Sequence, residues 1–249
     1  MNRRYWNNMA DAFSDHVFEV ADHDRRGVLR SIARRLAHQH LLAGDFGCGT
    51  GSFTRVLARS FEQVIGIDYA ARLISEARRR TRRGNVRFEI ADLSRAPLCD
   101  RVDVAFCINV LIHPNNDIRQ AVARSMVQSV RKRGTTVVVV PALESILRTY
   151  HTLVECQVEQ GASRGRATAA TRRLANRELL SLSEGIVNVG GEPTKHYLGD
   201  ELVDFLGRAG LRVRELLRVE FPWEIELDNV PADLPNLYPW DWLAVGRPA

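Results

Sequence analysis

Lysine is nearly absent from this chain of 249 residues. Only Lys132 and Lys195 are present, so almost all of the 35 basic side chains are arginine. The net charge of +5 permits nucleic-acid binding, but no basic segment with interleaved aromatic residues accompanies it. The densest arginine run, at residues 78–83, falls late in a predicted helix, where cations complement the helix dipole. The charge alone therefore gives no reason to expect a nucleic-acid partner.

Cysteine is scarce as well. The four cysteines lie far apart, with no C-x-x-C pair and no neighbouring cluster of histidines: Cys48, Cys99, Cys107 and Cys156. This spacing argues against a disulfide framework and against a zinc site, so we expect no metal. A reducing cytoplasm is the expected compartment.

Long apolar runs are missing too. The longest obvious one, residues 137–140, ends at Pro141 and is far shorter than the roughly 18 residues of a membrane span. The N-terminus carries basic residues without an apolar segment behind them, so no secretory signal is expected. An apolar content of 45% is typical of a globular protein with a sizeable core.

The most informative segment that is present spans residues 41–51. It is an apolar run, then an acid, then glycines at every second position: Asp45, Gly47, Gly49 and Gly51. Glycine lacks a Cβ, so it adopts positive φ and lets a ligand approach the backbone closely. A helical pattern follows, so the loop opens onto a helix N-terminus with free N–H groups. The sixth residue counted from Gly47 is Ser52, so the dinucleotide pattern G-x-G-x-x-G is not matched.

Acidic residues also end the next two predicted strands. Residues 63–67 run into Asp68, about 20 residues beyond the glycines, and residues 86–91 run into Asp92. The carboxyl ends of parallel strands meet at one edge of an open sheet, where ligands bind. We therefore expect Asp45, Asp68 and Asp92 to lie near one site, with Asp68 placed to grip a ribose.

The order of these motifs resembles that of the class I S-adenosylmethionine-dependent methyltransferases of the small-molecule type. The D-x-G-x-G-x-G pattern from Asp45 resembles their motif I, and N-V-L-I-H at 109–113 resembles motif IV. The resemblance covers residues 45–141 well and the flanks loosely. It implies an α/β, Rossmann-like sheet of seven mostly parallel strands with an antiparallel last strand and helices on both faces. It also implies S-adenosyl-L-methionine as cofactor and S-adenosyl-L-homocysteine as product.

The resemblance further implies roles for single residues. The loop would hold the amino-acid end of the cofactor, through Asp45, Gly47, Cys48, Gly49 and Gly51. Asp68, followed by Tyr69, would hold the ribose hydroxyls, and Asp92 with Leu93 would lie beside the adenine.

Four further candidates come from motif IV and from the N-terminus. Asn109 would contact cofactor or acceptor, and His113 is the candidate general base, which is needed only if the acceptor must lose a proton early. Tyr5 and Trp6 belong to a segment resembling a lid helix, and aromatic faces suit a sulfonium.

The pattern along the chain predicts four parts. These are N-terminal lid helices at 1–40, a cofactor-binding core at 41–141, a helical cap insertion at 142–196 and completion of the sheet at 197–249. A helical stripe from Leu143 and a shorter one around Leu179 and Leu180 favour helices in the insertion. Acids before the last strand are either contacts for a cationic acceptor or a solvated loop: Glu220, Glu224, Glu226 and Asp228.

Three functions remain open from the sequence. The first is methylation of an oxygen, nitrogen or carbon of a small metabolite. The second is methylation of RNA or DNA. The sequence N-V-L-I at 109–112 argues against it, because enzymes that methylate amino groups of nucleic acids resemble [DN]-P-P-[YF] at this motif. The third is a non-catalytic cofactor-binding subunit. We expect methylation of a small-molecule acceptor, without a membrane partner. A homodimer is possible.

Overall fold

A computed structural model describes most of the chain. The described residues are 3–10, 13, 19–38, 41–98, 100–174, 177–227, 230–231, 234 and 236–249.

Helices precede an alternation of strands and helices. The first described helices are α1 (Arg3–Met9), α2 (Val20–His23) and α3 (Val28–Ala37). The alternating part consists of β1 (Leu42–Phe46), α4 (Ser52–Leu57), β2 (Gln63–Asp68), α5 (Ala71–Arg80), β3 (Val86–Ile90), β4 (Val102–Ile108), α6 (Asn116–Gln128) and β5 (Val130–Pro141).

The remaining elements include a second, smaller set of strands. They are α7 (Leu143–Glu159), α8 (Arg164–Leu174), β6 (Arg177–Ser181), β7 (Ile186–Val189), β8 (Glu192–Lys195), α9 (Gly199–Arg208), β9 (Leu211–Glu220), a 3-10 turn (Trp223–Ile225) and β10 (Trp240–Pro248).

Seven strands form the main sheet in the order β3-β2-β1-β4-β5-β10-β9. The pairs from β3 to β5 are parallel, whereas β10 runs antiparallel to both β5 and β9. The prediction of a mostly parallel sheet with an antiparallel last strand is confirmed. Because β9 is parallel to β5, its carboxyl end meets the same edge as the carboxyl ends of β1 to β5.

Helices cover both faces of the sheet, as the apolar character of the strands requires. Successive side chains of a strand point to opposite faces. Accordingly Val138 and Val140 share a buried cluster with residues of α6 and α9, while Val137 and Val139 share one with residues of α3 and α4. The continuous valine run is thus explained by burial on both sides.

The segment 142–196 differs from the purely helical insertion that we expected. Helices α7 and α8 are present, but β6, β7 and β8 form a three-stranded antiparallel sheet. Leu179 and Leu180, which we assigned to a helical stripe, lie in β6. Gly190 and Gly191 both have positive φ and turn β7 back into β8 as a hairpin. Over so few residues, leucine spacing does not separate a strand from a helix.

One carboxylate ties the start of this insertion to the main sheet. Glu144, in the first turn of α7, accepts hydrogen bonds from the Gly199 backbone N–H at 2.7 Å and from Trp242 Nε1 at 3.0 Å. Ser145 Oγ accepts from the Trp240 N–H at 2.8 Å. The start of α7 is therefore fixed to α9 and to β10 at the same time.

Within the described ranges, no helix combines the length and the apolar character that a membrane span needs.

The Glu144→Ala variant tests this tie. It leaves two N–H donors without their charged acceptor, so the free energy of unfolding should fall by about 2 kcal/mol. Glu159→Ala, at the exposed end of the same helix, is the matched control and should change stability by less than about 0.5 kcal/mol. Urea unfolding followed by circular dichroism measures both; equal stabilities would show that Glu144 does not carry the tie.

Candidate functional site

A cavity of about 550 Å³ opens at the carboxyl ends of the parallel strands. Most of the residues singled out from the sequence line it: Trp6, Asp45, Gly47, Cys48, Gly49, Asp68, Tyr69, Asp92, Leu93, Asn109 and His113. Tyr5 and Gly51 do not line it. Tyr5 packs edge-on against the Trp6 ring at 5.1 Å, and Gly51 precedes α4 with a φ of 77°.

The glycine loop between β1 and α4 needs its glycines for two reasons. Gly47 and Gly49 have φ values of 76° and 54°, in the left-handed region that side chains disfavour. A Cβ on Gly47 would lie 2.2 Å from a methyl of Val110, and one on Gly49 would lie 2.6 Å from the Phe13 ring. The loop is thus closely packed and presents bare backbone to the cavity.

Asp45 is buried at the base of this loop. Its Oδ2 accepts a hydrogen bond from Thr54 Oγ1 at 2.5 Å. Burial raises the pKa of Asp45 to about 7, and the nearby Glu19 and Asp68 add to the rise. Asp45 is therefore poised to ionise when a cationic group binds beside it. Sequence reasoning did not find Thr54, because its partner lies nine positions away across a turn.

Asp68 holds the glycine loop to the end of β2. It accepts hydrogen bonds from the backbone N–H of Gly49 at 3.1 Å and of Ala70 at 2.9 Å. Burial raises the pKa of Asp68 to about 6, against the lowering effect of these bonds. The carboxylate is thus fixed in direction at the cavity wall.

Glu19 is a site residue that sequence reasoning missed. It lines the cavity just before α2, and burial raises the pKa of its carboxyl group. With Asp45 and Asp68 it makes one end of the cavity strongly acidic, which favours a ligand that brings positive charge. No sequence signal marks Glu19, because only the packing of the N-terminal segment against the sheet edge places it there.

Asp92 is engaged by the N-terminal helix. Its Oδ2 pairs with Arg3 at 2.9 Å, and its Oδ1 accepts from Ser94 Oγ at 2.6 Å. The Arg3 guanidinium also lies over the Tyr69 ring, 5.5 Å from its centre. These contacts hold α1 across the cavity, where Trp6 and Phe13 contribute aromatic wall.

Asn109 has an unusual conformation at the end of β4. Its φ of 53° lies in the left-handed region, although it is not glycine. Its buried Oδ1 has no hydrogen-bond partner among the described residues. A buried acceptor without a partner is costly, so this oxygen is a ready acceptor for a donor of a bound molecule.

His113 lies on the loop that follows Asn109. Its Nδ1 accepts a hydrogen bond from the Asn115 backbone N–H at 3.0 Å. Arg119 donates to the carbonyl oxygens of His113 and Pro114, at 2.5 and 2.7 Å. Burial lowers the pKa of His113, and the Arg119 charge lowers it further, so the ring is neutral at neutral pH.

The acidic segment before the last strand does not join the cavity. Glu220 pairs with Arg25 and Arg26, at 3.8 and 3.9 Å, and neither Glu224 nor Glu226 lines the cavity. Asp228 lies outside the described residues. The alternative of a cationic acceptor held by this segment therefore has no support from the described part of it.

The arginine run is largely used within the fold. Arg78 donates to the Phe88 carbonyl at 2.7 Å, and Arg79 and Arg80 both pair with Glu76. These contacts account for Arg78, Arg79 and Arg80 without a phosphate ligand.

The described cysteines are buried and form no disulfide with one another: Cys48, Cys107 and Cys156. Burial raises the pKa of the Cys48 and Cys107 thiols, which leaves them unreactive at neutral pH. Cys99 lies outside the described residues. In the described part of the chain, no three His, Cys, Asp or Glu side chains are arranged to hold a metal ion.

Comparison with known proteins gives a family match and relatives of two kinds. Residues 44–134 match the family described as a methyltransferase domain. A malonyl-[acyl-carrier protein] O-methyltransferase of Coxiella burnetii is 28% identical over 111 residues, 42% of this chain and 43% of that protein. A 23S rRNA uracil-C5-methyltransferase of Xylella fastidiosa is 43% identical over 54 residues, 20% of this chain and 12% of that one. The chain thus spans less than half the length of these curated relatives.

Solved structures share the whole fold. The 1,6-didemethyltoxoflavin-N1-methyltransferase of Burkholderia thailandensis, solved with S-adenosylhomocysteine, superposes with a TM-score of 0.63 at 15% identity. The superposition covers 99% of this chain and 87% of that one. At this identity the likeness concerns the fold.

The raised pKa of Asp45 gives a test of the acidic end without any ligand. In the unfolded chain this carboxyl group ionises near pH ~4, but in the folded protein near pH 7. Between these two pH values, Asp45 holds a proton in the folded state that it has lost in the unfolded state. This difference stabilises the folded protein at low pH, and the stabilisation is lost as the pH rises through 7. Asp45→Asn keeps an oxygen acceptor for Thr54 and cannot ionise.

As the pH rises from 5 to 8, the free energy of unfolding of Asp45→Asn should therefore increase by about 1–3 kcal/mol relative to that of the unaltered protein. Denaturant unfolding at a series of pH values measures the difference. Asp204→Asn, on the exposed face of α9, is the control and should parallel the unaltered protein. A constant difference for Asp45→Asn would mean that Asp45 titrates normally.

The sheet order, the glycine loop with its acids and the family match agree with one another. The loop and the carboxylates at 45, 68 and 92 border a single cavity, and the matched segment contains all of them. The centre of the site therefore lies in the segment that matches a methyltransferase domain.

Proposed function

We propose that this protein transfers a methyl group from S-adenosyl-L-methionine to an oxygen, nitrogen or carbon atom of a small metabolite. The observation that carries the proposal is the single cavity of about 550 Å³ that brings the glycine loop, Asp68, Asp92 and the loop of Asn109 and His113 to one edge of the sheet. Its volume is in the range of sites that bind small organic ligands.

The residues present fit the cofactor. The bare backbone of the glycine loop, where a Cβ would meet Val110 or Phe13, would hold the amino-acid end with Asp45. Asp68 would accept from the ribose hydroxyls, and Asp92 with Leu93 would border the adenine. Trp6 would face the sulfonium through its ring. The acidic end of the cavity, through Glu19 and Asp45, suits the positive charges of this cofactor.

The chain contributes position rather than chemistry of its own. When bound, the cofactor supplies an activated methyl group to a nucleophile in line with its carbon–sulfur bond. Asn109 and His113 would orient the acceptor, while α1 shields the centre from water. Correct placement of two reactants removes several kcal/mol from a barrier of this kind.

A small acceptor is favoured over RNA. The two curated relatives differ in their acceptors, since one is named as a malonyl-[acyl-carrier protein] O-methyltransferase and the other as a 23S rRNA methyltransferase. However, Arg78, Arg79 and Arg80 of the arginine run are engaged in contacts within the fold. Part of the cavity lining is apolar, from side chains such as Ile108, Val110 and Ile118. Such a lining suits the body of a small organic molecule.

Three further expectations remain predictions. None of the described residues of 142–196 lines the cavity, so a cap role for the insertion would require movement of that segment. A homodimer would have an exposed edge strand available in β6, where Leu179 and Leu180 are exposed. The buried cysteines are compatible with a cytoplasmic location.

The Asp68→Ala variant tests the cofactor site. Loss of the paired charge-assisted hydrogen bonds should weaken binding of S-adenosyl-L-methionine and S-adenosyl-L-homocysteine by at least about tenfold. Isothermal titration calorimetry measures both affinities, with circular dichroism to verify the fold. Asp204→Ala, on the exposed face of α9, should bind both like the unaltered protein. An unchanged affinity for Asp68→Ala would exclude the ribose assignment.

A further inference from the structure

The ring of His113 is set up as a hydrogen-bond donor, not as a base. Its Nδ1 accepts the Asn115 N–H at 3.0 Å, so Nδ1 carries no proton. A neutral imidazole holds one proton, which must then be on Nε2. Nε2 has no hydrogen-bond partner among the described residues, and His113 lines the cavity. The nitrogen available to a bound molecule therefore presents a proton instead of a lone pair.

The surroundings keep the ring neutral. Two buried cations, Arg119 of α6 and Lys195 of β8, lie behind the His113 loop. Both contact the ring of Tyr197, with the Arg119 guanidinium 6.0 Å and the Lys195 ammonium 4.8 Å from the ring centre. Lys195 pairs with Glu201 of α9 at 2.5 Å. Asp117, in the first turn of α6, is exposed. A second proton on the His113 ring would thus be repelled from behind.

Arg119 lacks a matching negative charge. The guanidinium is buried, and its hydrogen-bond partners are the carbonyl oxygens of His113 and Pro114 and the side-chain oxygen of Asn116. Among the described residues, no carboxylate forms an ion pair with it. In a medium of low dielectric this uncompensated charge stabilises an anion bound on the cavity side of the loop.

The same loop is held rigidly from the insertion side. The Tyr197 hydroxyl donates to the Leu111 carbonyl at 2.7 Å, and the Lys195 N–H donates to the Ile112 carbonyl at 2.8 Å. A donor on such a fixed loop can be aimed in advance at one position of the acceptor.

We propose that the acceptor atom is an oxygen already ionised at neutral pH, in a carboxylate or an acidic phenol, and that the Nε2–H of His113 holds it. This rests on the proposed function. In the transfer, the anionic oxygen forms a bond to the methyl carbon while the carbon–sulfur bond breaks with its electron pair going to sulfur. The acceptor loses one negative charge and the sulfonium its positive charge. No proton is transferred, so no general base is required.

Long-range proton–nitrogen NMR of the histidine rings tests the first step. In the complex with S-adenosyl-L-homocysteine, His113 should show the neutral Nε2–H form from pH 7 to pH 9, with the signal assigned by its loss in His113→Gln. A proton on Nδ1, or a doubly protonated ring at pH 7, would overturn the inference. Calorimetry on the same sample separates the proposed methyl transfer from the proposed anionic acceptor. Failure to bind S-adenosyl-L-homocysteine would count against the methyl transfer itself.

Titration of the same complex with small probes tests the anion site. Acetate represents a carboxylate acceptor and 4-nitrophenolate an acidic phenol, and each should shift the His113 Nε2 signal in a saturable way. The probe that gives the stronger shift identifies the chemical class of the acceptor oxygen. Acetamide, the neutral analogue of acetate, should not. His113→Asn retains an oxygen for the Asn115 N–H but removes the Nε2 donor, and should bind acetate at least about tenfold more weakly than His113→Gln, which keeps a donor there. Equal responses to acetate and acetamide, or no response to either anion, would refute the proposal.

Discussion

The site depends on the hydrogen bonds by which Asp68 holds the glycine loop. The carboxylate at the end of β2 accepts from Gly49 and Ala70, and so joins the first two strands at the edge where the cavity opens. The loop can meet it only because Gly47 and Gly49 take left-handed conformations without side chains in the way. Burial of Asp68 makes its negative charge costly, and a ligand that brings hydrogen-bond donors would relieve that cost.

The two ends of the cavity have opposite electrostatic character. Glu19, Asp45 and Asp68 make one end acidic, while the unpaired charge of Arg119 lies behind the His113 loop. Such a field aligns a positively charged donor with a negatively charged acceptor. In the proposed transfer both charges disappear when the methyl group moves, so bound products would be held less firmly at both ends than the reactants.

The insertion supports the site from behind. Lys195, and Tyr197 just beyond the insertion, bond to the loop of His113, and Glu144 anchors α7 to α9 and to the main sheet. This explains why a segment that contributes no described lining residue still affects the geometry of the site. Its small sheet was not foreseen, since short leucine-containing segments fit a helix and a strand equally well.

The sheet and its principal carboxylates follow from the amino-acid sequence alone. Apolar strands that alternate with helices are buried on both faces, and acids at their carboxyl ends must meet at one edge. The partners that come from distant parts of the chain depend on the folded structure. The pairing of Arg3 with Asp92 and the position of Glu19 beside Asp45 have no local signal, because each contact depends on how separate elements pack. The donor role proposed for His113 also depends on the fold, since it follows from the conformation in which the loop turns the Asn115 N–H toward the ring.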